Sequence, residues 1–532
     1  MYQHDPARTG AVPCGAVTPA TVGLLRPAWF SPTGAAVTAT PTVVGGTVYV
    51  GDASGIFRAL DAGSGALRWS FSVTANAVHP DRHRVSYGEI PSTAAVADVP
   101  CSSTAGTATV PTVFFGGGGT LYALDARTGS VRWSQDLDPT DPTSGEEILS
   151  SPVVEVSPAD PPQVLVGNDV NETPGTAETG VWSFDACTGS LRWMFDPETL
   201  RAVGPASSST TTSSTGGGQG GGSVTGPGDV QGPELGCGDV WSSPALDQGT
   251  GMVFAGTGNC PDPAAAAAAG VQVRSEALFA LDARTGRLVW YSTEPANAYG
   301  YDDDFGSSPV LGIATESCGT GCNRSVPAVF QAGKSGDVYA FAEDSGRQLW
   351  AVQAAQPGQT GSALAGAVGG FIGAGALGPA GDTPAAPLTL YLASAIPAPF
   401  AGAGFDPSAT PPVSPDTSLT HDPTRLVSLH AVDALTGTVR WQEAVSAPTY
   451  AAVTYTEGVV FAPATTSFAV EAYDAASGQP LWTAPVAAAV SSGVAVAGSA
   501  VYFGAGTDMG GGLPPQVTGI WSFALGGSHV LP

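Results

Sequence analysis

Leu60-Asp61-Ala62-Gly63-Ser64-Gly65, with Trp69 four positions after the glycine, is the first of seven copies of one phrase. The next are Leu124-Asp125-Ala126-Arg127-Thr128-Gly129 with Trp133, Phe184-Asp185 with Gly189 and Trp193, and Leu281-Asp282 with Gly286 and Trp290. Ala342-Glu343-Asp344-Ser345-Gly346 with Trp350 has lost the leading Asp; Val432-Asp433, Gly437, Trp441 and Tyr473-Asp474, Gly478, Trp482 complete the set. Asp and Ser/Thr side chains bond the turn backbone and Gly takes a positive φ, so the phrase predicts a tight hairpin. Repetition at this spacing marks an array of supersecondary units.

Two further strand signals precede each copy. One is Ser-Pro followed by apolar residues, as in Ser151-Pro152-Val153-Val154, Ser243-Pro244-Ala245-Leu246 and Ser308-Pro309-Val310-Leu311. The other is an apolar run ending in Gly, as in Val48-Tyr49-Val50-Gly51 and Val164-Leu165-Val166-Gly167. Each unit thus supplies four strands, one propeller blade. After the seventh copy, Val501-Tyr502-Phe503-Gly504 and Ile520-Trp521-Ser522-Phe523-Ala524-Leu525 lack a terminal Trp strand. Pro27-Ala28-Trp29-Phe30 at the other end of the chain supplies it. The expectation is an all-β chain, one eight-bladed β-propeller domain over 1–532, its ring closed by the N-terminal strand. The repeated Trp residues are read as packing between blades.

The totals agree with short strands and tight turns: 72 Gly, 45 Pro and only 12% charged residues. A net charge of −27 excludes nucleic acid, which needs a basic surface, and disfavours anionic membranes. No apolar run is long enough to span a bilayer. Seven cysteines favour an oxidising compartment, so an extracellular, periplasmic or cell-envelope location is expected. Cys318 and Cys322 are spaced for a local disulfide; zinc is disfavoured because no His or second Cys pair is near. Cys237 and Cys260 flank two strands of blade four and form a second plausible pair; one Cys must be left over. The chain opens directly at Met1-Tyr2-Gln3-His4-Asp5, so either a leader is missing upstream or the start is mis-set.

Strand direction alternates within a blade, so the Asp-Ala-Thr-Gly turns share the lower face and the long insertions fall largely on the upper one. These are 74–90, 134–147, 194–238, 260–274 and 398–424. Rim loops of this kind carry function on a rigid scaffold. Residues 207–222, a Ser/Thr tract running into Gly, are expected to be a disordered insertion.

The repeat resembles that of the pyrroloquinoline quinone (PQQ) alcohol dehydrogenases and their polyvinyl-alcohol dehydrogenase-like relatives, across essentially the whole chain. Gly236-Cys237-Gly238-Asp239-Val240-Trp241-Ser242-Ser243-Pro244, running to Gly256-Thr257-Gly258-Asn259, is similar to that family's cofactor segment. The resemblance implies Trp241 as a floor beneath the quinone and Asn259 as an oxygen ligand to Ca²⁺. It also implies Glu172, at the end of Val166-Gly167-Asn168-Asp169-Val170-Asn171-Glu172, as a metal ligand. Lys334, the only lysine in the chain, stands where the family carries a basic residue on the quinone. Independently of the family, Glu172, Asn259 and Lys334 follow the second strands of three consecutive blades and Trp241 opens an innermost strand. All four are therefore expected at the upper channel mouth.

The family's catalytic Asp precedes the innermost strand of blade five. Aligned on Phe305-Gly306-Ser307-Ser308-Pro309, that position falls on Tyr299. Asp302 and Asp304 align with residues that serve structure, and Asp302 becomes the candidate base only through a shifted loop. No Cys-x-x-Cys-His for covalent haem and no adjacent Cys pair occurs. Two functions compete. One is an exported PQQ- and Ca²⁺-dependent dehydrogenase acting on a small or polymeric alcohol, with an external electron acceptor. The other is a non-catalytic propeller of the same repeat serving as a binding or assembly scaffold.

Overall fold

The computed structural model describes residues 1–76, 87–103, 106–137, 147–157, 160–170, 178–204, 235–260, 263–270, 274, 277–293, 304–319, 322–355, 370–381, 386–395, 428–507 and 515–529. Eight antiparallel sheets follow one another around an axis. Seven are built from consecutive strands within 42–72, 95–136, 153–203, 245–293, 310–353, 376–444 and 454–485. The eighth combines 495–525 with Leu25–Pro32, which pairs antiparallel with Gly519–Leu525. The eight-bladed propeller expected from the repeat is the fold.

Each repeat phrase locks two blades together. The indole N–H of Trp29 donates to the Ala62 carbonyl at 2.9 Å, Trp133 to Ala186 at 3.1 Å and Trp193 to Ala283 at 3.0 Å. The Gly of the same turn lies flat on that indole: a Cβ on Gly129 would stand 2.5 Å from Trp69 Cε3. Asp125 Oδ1 accepts from the Arg127 and Thr128 amides, which fixes the turn. The fifth copy tolerates the loss of its Asp because the bond from Trp290 goes to the Glu343 backbone carbonyl.

In blades one to five the Ser or Thr at the approach to the innermost strand, followed by Pro in all but blade two, does more than begin a strand. Thr40 N–H donates to Thr93 Oγ1, Thr93 to Ser151 Oγ, Ser151 to Ser243 Oγ and Ser243 to Ser308 Oγ. Gly493 N–H donates to Thr40 Oγ1. This belt of hydroxyls around the axis is interrupted in blades six to eight, where Ala374, Ala452 and Gly493 occupy the corresponding positions.

Residues 1–16 form a strap through the centre. The Pro6, Ala7, Thr9 and Gly10 carbonyls accept from the amides of Leu246, Leu311, Leu377 and Tyr455, on the innermost strands of blades four to seven. The strap then leaves by the lower face, where the Ala16 amide donates to Gly498.

Two insertions carry elements that the sequence reading left as loops. Blade three gains a fifth strand, Arg201–Val203, and a helix, Pro263–Ala269, follows blade four's second strand. The helix has Pro at its first position, six alanines and Gly270 at φ +75° beyond its end, a composition that suits it. The tract 207–222 lies outside the described residues. Disulfides join Cys237 to Cys260, as expected, and Cys101 to Cys187 across blades two and three. Cys322 is disulfide-bonded; the side chain of Cys318, its expected partner, lies outside the described residues. Cys14 is the cysteine left over.

Candidate functional site

The upper mouth is assembled by loops that lean on their neighbours. The Asn168 carbonyl accepts from Val240 at 2.8 Å and the Thr257 carbonyl from Phe305 at 3.2 Å. The Gly333 carbonyl accepts from Phe371 at 3.0 Å, and the Asp304 carbonyl from Lys334 at 3.0 Å. Each second strand therefore ends against the approach to the next blade's innermost strand.

Trp241 occupies this junction. Two glycines pin its indole: a Cβ on Gly258 would lie 2.6 Å from Cδ1, and one on Gly306 2.9 Å from Cη2. The Nε1–H donates to Asp304 Oδ2 at 2.9 Å. The Lys334 ammonium reaches Asp304 Oδ1 at 2.8 Å and stands 5.1 Å from the indole centroid, within cation–π range. Asp304 is only 1% exposed, and its buried charge is met by the Trp241 hydrogen bond on one oxygen and the Lys334 ion pair on the other. Asn259 sits between Gly258, pressed on the indole edge, and Cys260, tied to Cys237.

Buried acid lies behind Trp241. Asp239 is hydrogen-bonded to Asp169, and its carboxyl is held well above the usual carboxylate range. Desolvation is the main cause, with the charges of Asp169 and Asp304 adding to it.

Of the residues that the sequence singled out, the structure brings Trp241 and Lys334 into contact, and Asn259 directly follows Gly258, which packs on the Trp241 indole. Glu172, Tyr299 and Asp302 lie outside the described residues. Asp304, which sequence alignment assigned to structure, is the acid that touches both Trp241 and Lys334. Its adjacency to Phe305-Gly306 was the available signal, but it stands last of three successive aspartates, 302 to 304.

The arrangement fits a planar, carbonyl-bearing ring: an aromatic face held rigid by two glycines, with a cation beside it. Among the described residues no three His, Cys, Asp or Glu side chains converge as a metal site. Of the two calcium ligands that the resemblance implies, Asn259 is among the described residues and Glu172 is not. No helix among the described residues is long and apolar enough to cross a membrane.

Comparison with known proteins agrees with the geometry. Residues 1–363 match the family described as glucose/ethanol/alcohol dehydrogenase, beta-propeller domain, and residues 334–513 match the outer membrane protein assembly factor BamB family. The dehydrogenase subunit of the quinone alcohol dehydrogenase of Komagataeibacter europaeus is 27% identical over 298 residues, covering 53% of this chain and 36% of that protein. The chain thus spans about a third of the curated relatives that it matches. The quinohemoprotein alcohol dehydrogenase of Comamonas testosteroni superposes with a TM-score of 0.66 at 19% identity, over 99% of this chain and 80% of that one. A europium-containing methanol dehydrogenase gives 0.66 at 18%, over 98% and 97%. These two likenesses concern the fold. By the match over residues 1–363, the chain belongs to the glucose/ethanol/alcohol dehydrogenase β-propeller family of quinoproteins.

Proposed function

We propose that the chain is the propeller of an exported, PQQ-dependent dehydrogenase that oxidises an alcohol, small or polymeric, and passes the electrons to an external acceptor. The observation that carries this reading is the contact of Trp241, Asp304 and Lys334 at one channel mouth. PQQ resting on Trp241, with Ca²⁺ held by Glu172 and Asn259, would supply the hydride acceptor and the Lewis acid. The protein's own groups do the rest. Lys334 places a fixed positive charge where the ring carbonyls lie. Trp241 Nε1–H orients Asp304, which takes the hydroxyl proton as the alcohol's C–H bond breaks and its carbonyl forms. Asp302 remains the second candidate for that proton. Two disulfides among the described residues support export.

The test is to add PQQ and Ca²⁺ to purified protein, then record the bound-quinone absorbance band and dye-linked alcohol oxidation. Both are expected. Asp304→Asn should keep the band and lose about 10²–10⁴-fold in kcat. Lys334→Ala should abolish the band; pairing it with Asp304→Asn avoids leaving a buried carboxylate unpaired. A band without turnover leaves a binding protein. Neither signal leaves the scaffold reading, which the match of residues 334–513 supports.

A further inference from the structure

The hydroxyl belt and the strap complete one another. Where the belt fails, between Ser308 of blade five and Ala374 of blade six, the Tyr2 phenol is hydrogen-bonded to the Ser308 hydroxyl and the Ala374 backbone. Between blades six and seven, Gln3 Nε2 donates to the carbonyls of Gly375 and Val453. Between blades three and four Arg8, fully buried, spreads its fork over backbone oxygens. Nε donates to Pro244 at 2.9 Å, Nη2 to Ser151 at 2.7 Å and to Pro152 at 3.2 Å, and Nη1 to Tyr2 at 2.9 Å. Its guanidinium stacks near the Tyr2 ring, 5.5 Å from the centroid. Pro244 is three residues after Trp241, and Ser308 is four after Asp304. The strap therefore grips the two segments that carry the site, immediately below it.

We infer that Arg8 and Tyr2 are positioning residues of the Trp241–Asp304 site, acting from within the channel, while Gln3 only braces blades six and seven. A planar guanidinium bonding several carbonyls at once fixes their relative placement, which a lysine cannot reproduce. Small displacements of such a support are felt strongly at a site built from two blades. This inference rests on the dehydrogenase reading for its quinone readout alone.

The experiment compares Arg8→Met, Arg8→Lys, Tyr2→Phe and Gln3→Ala in the full chain, by thermal melts, by PQQ titration on folded protein and by amide hydrogen exchange. Arg8→Met should raise the PQQ dissociation constant by about tenfold, and Arg8→Lys and Tyr2→Phe by less. It should also speed exchange at 239–259 and, with Tyr2→Phe, at 304–311. Gln3→Ala should lower the melting temperature and speed exchange at 374–378 and 452–456, with PQQ affinity unchanged. A lowered melting temperature with wild-type exchange at 239–259 and 304–311 would overturn the inference, as would faster exchange there with unaltered PQQ affinity. If the parent protein binds no PQQ, the dehydrogenase reading falls, and exchange at the two segments still decides the role of the strap. Should Arg8→Met fail to fold, Arg8→Lys and Tyr2→Phe carry the same comparison.

Discussion

Glu343 takes the place of the turn alanine in the fifth repeat copy, and its carboxyl is raised from 4.5 to about 7. Desolvation is the main cause, reinforced by the charges of Asp247 and Asp344. A carboxyl whose folded pKa is raised favours the native state below its unfolded pKa and loses that contribution as pH climbs through the folded value. Stability should therefore fall between pH 4.5 and about 7 from this residue. Glu343→Gln keeps the backbone carbonyl that Trp290 needs. It should add about 1–3 kcal/mol at about pH 8 and almost nothing at about pH 4 in thermal melts. At the same scale, Lys334 was legible because a chain with one lysine gives it contrast. Arg8 was not, since nothing in Asp5-Pro6-Ala7-Arg8 says that an arginine will be buried against carbonyls. Asp304 was missed because the sequence offers three successive aspartates, and which side a loop residue turns to is set by what the loop packs on.

At the scale of the element, the hairpin phrase was readable because turn chemistry is local: Asp bonds its own backbone and Gly takes φ > 0. The blade-to-blade half of the phrase needed coordinates. Gly129 has φ +73° and meets Trp69, whereas Gly45 has φ +57° and open space around its missing Cβ. Gly45→Ala should cost about 1–2 kcal/mol, the left-handed penalty alone. Gly129→Ala should cost about 2–4 kcal/mol because an indole must also move. Denaturant midpoints of the two variants test this; equal losses would deny the inter-blade lock. The Ser-Pro signal was likewise half read. It marked a strand start correctly, while the hydroxyl just before Pro turned out to serve the neighbouring blade.

For the molecule as a whole, the blade count and the closure followed from arithmetic on repeats, since seven hairpins leave an eighth blade without its outer strand, which the Trp29 segment supplies. The Cys101–Cys187 disulfide did not follow, because the two are 86 residues apart and meet only once blades two and three stand side by side. Cys101→Ser with Cys187→Ser should lower unfolding free energy by about 4 kcal/mol, read by equilibrium denaturation. The short helix and the fifth strand were hidden in insertions whose composition looked irregular.

The pairing of Leu25–Pro32 with Gly519–Leu525 also sets an order of events during synthesis. The outer strand of the last blade is made before the seven other blades, and its partner after them. Seven blades can thus be made while that early segment still waits, and a search over the contour of all of them precedes the last pairing. Until then two sheet edges face solvent, so the newborn propeller is most vulnerable to sticking to others of its kind just before the ring closes.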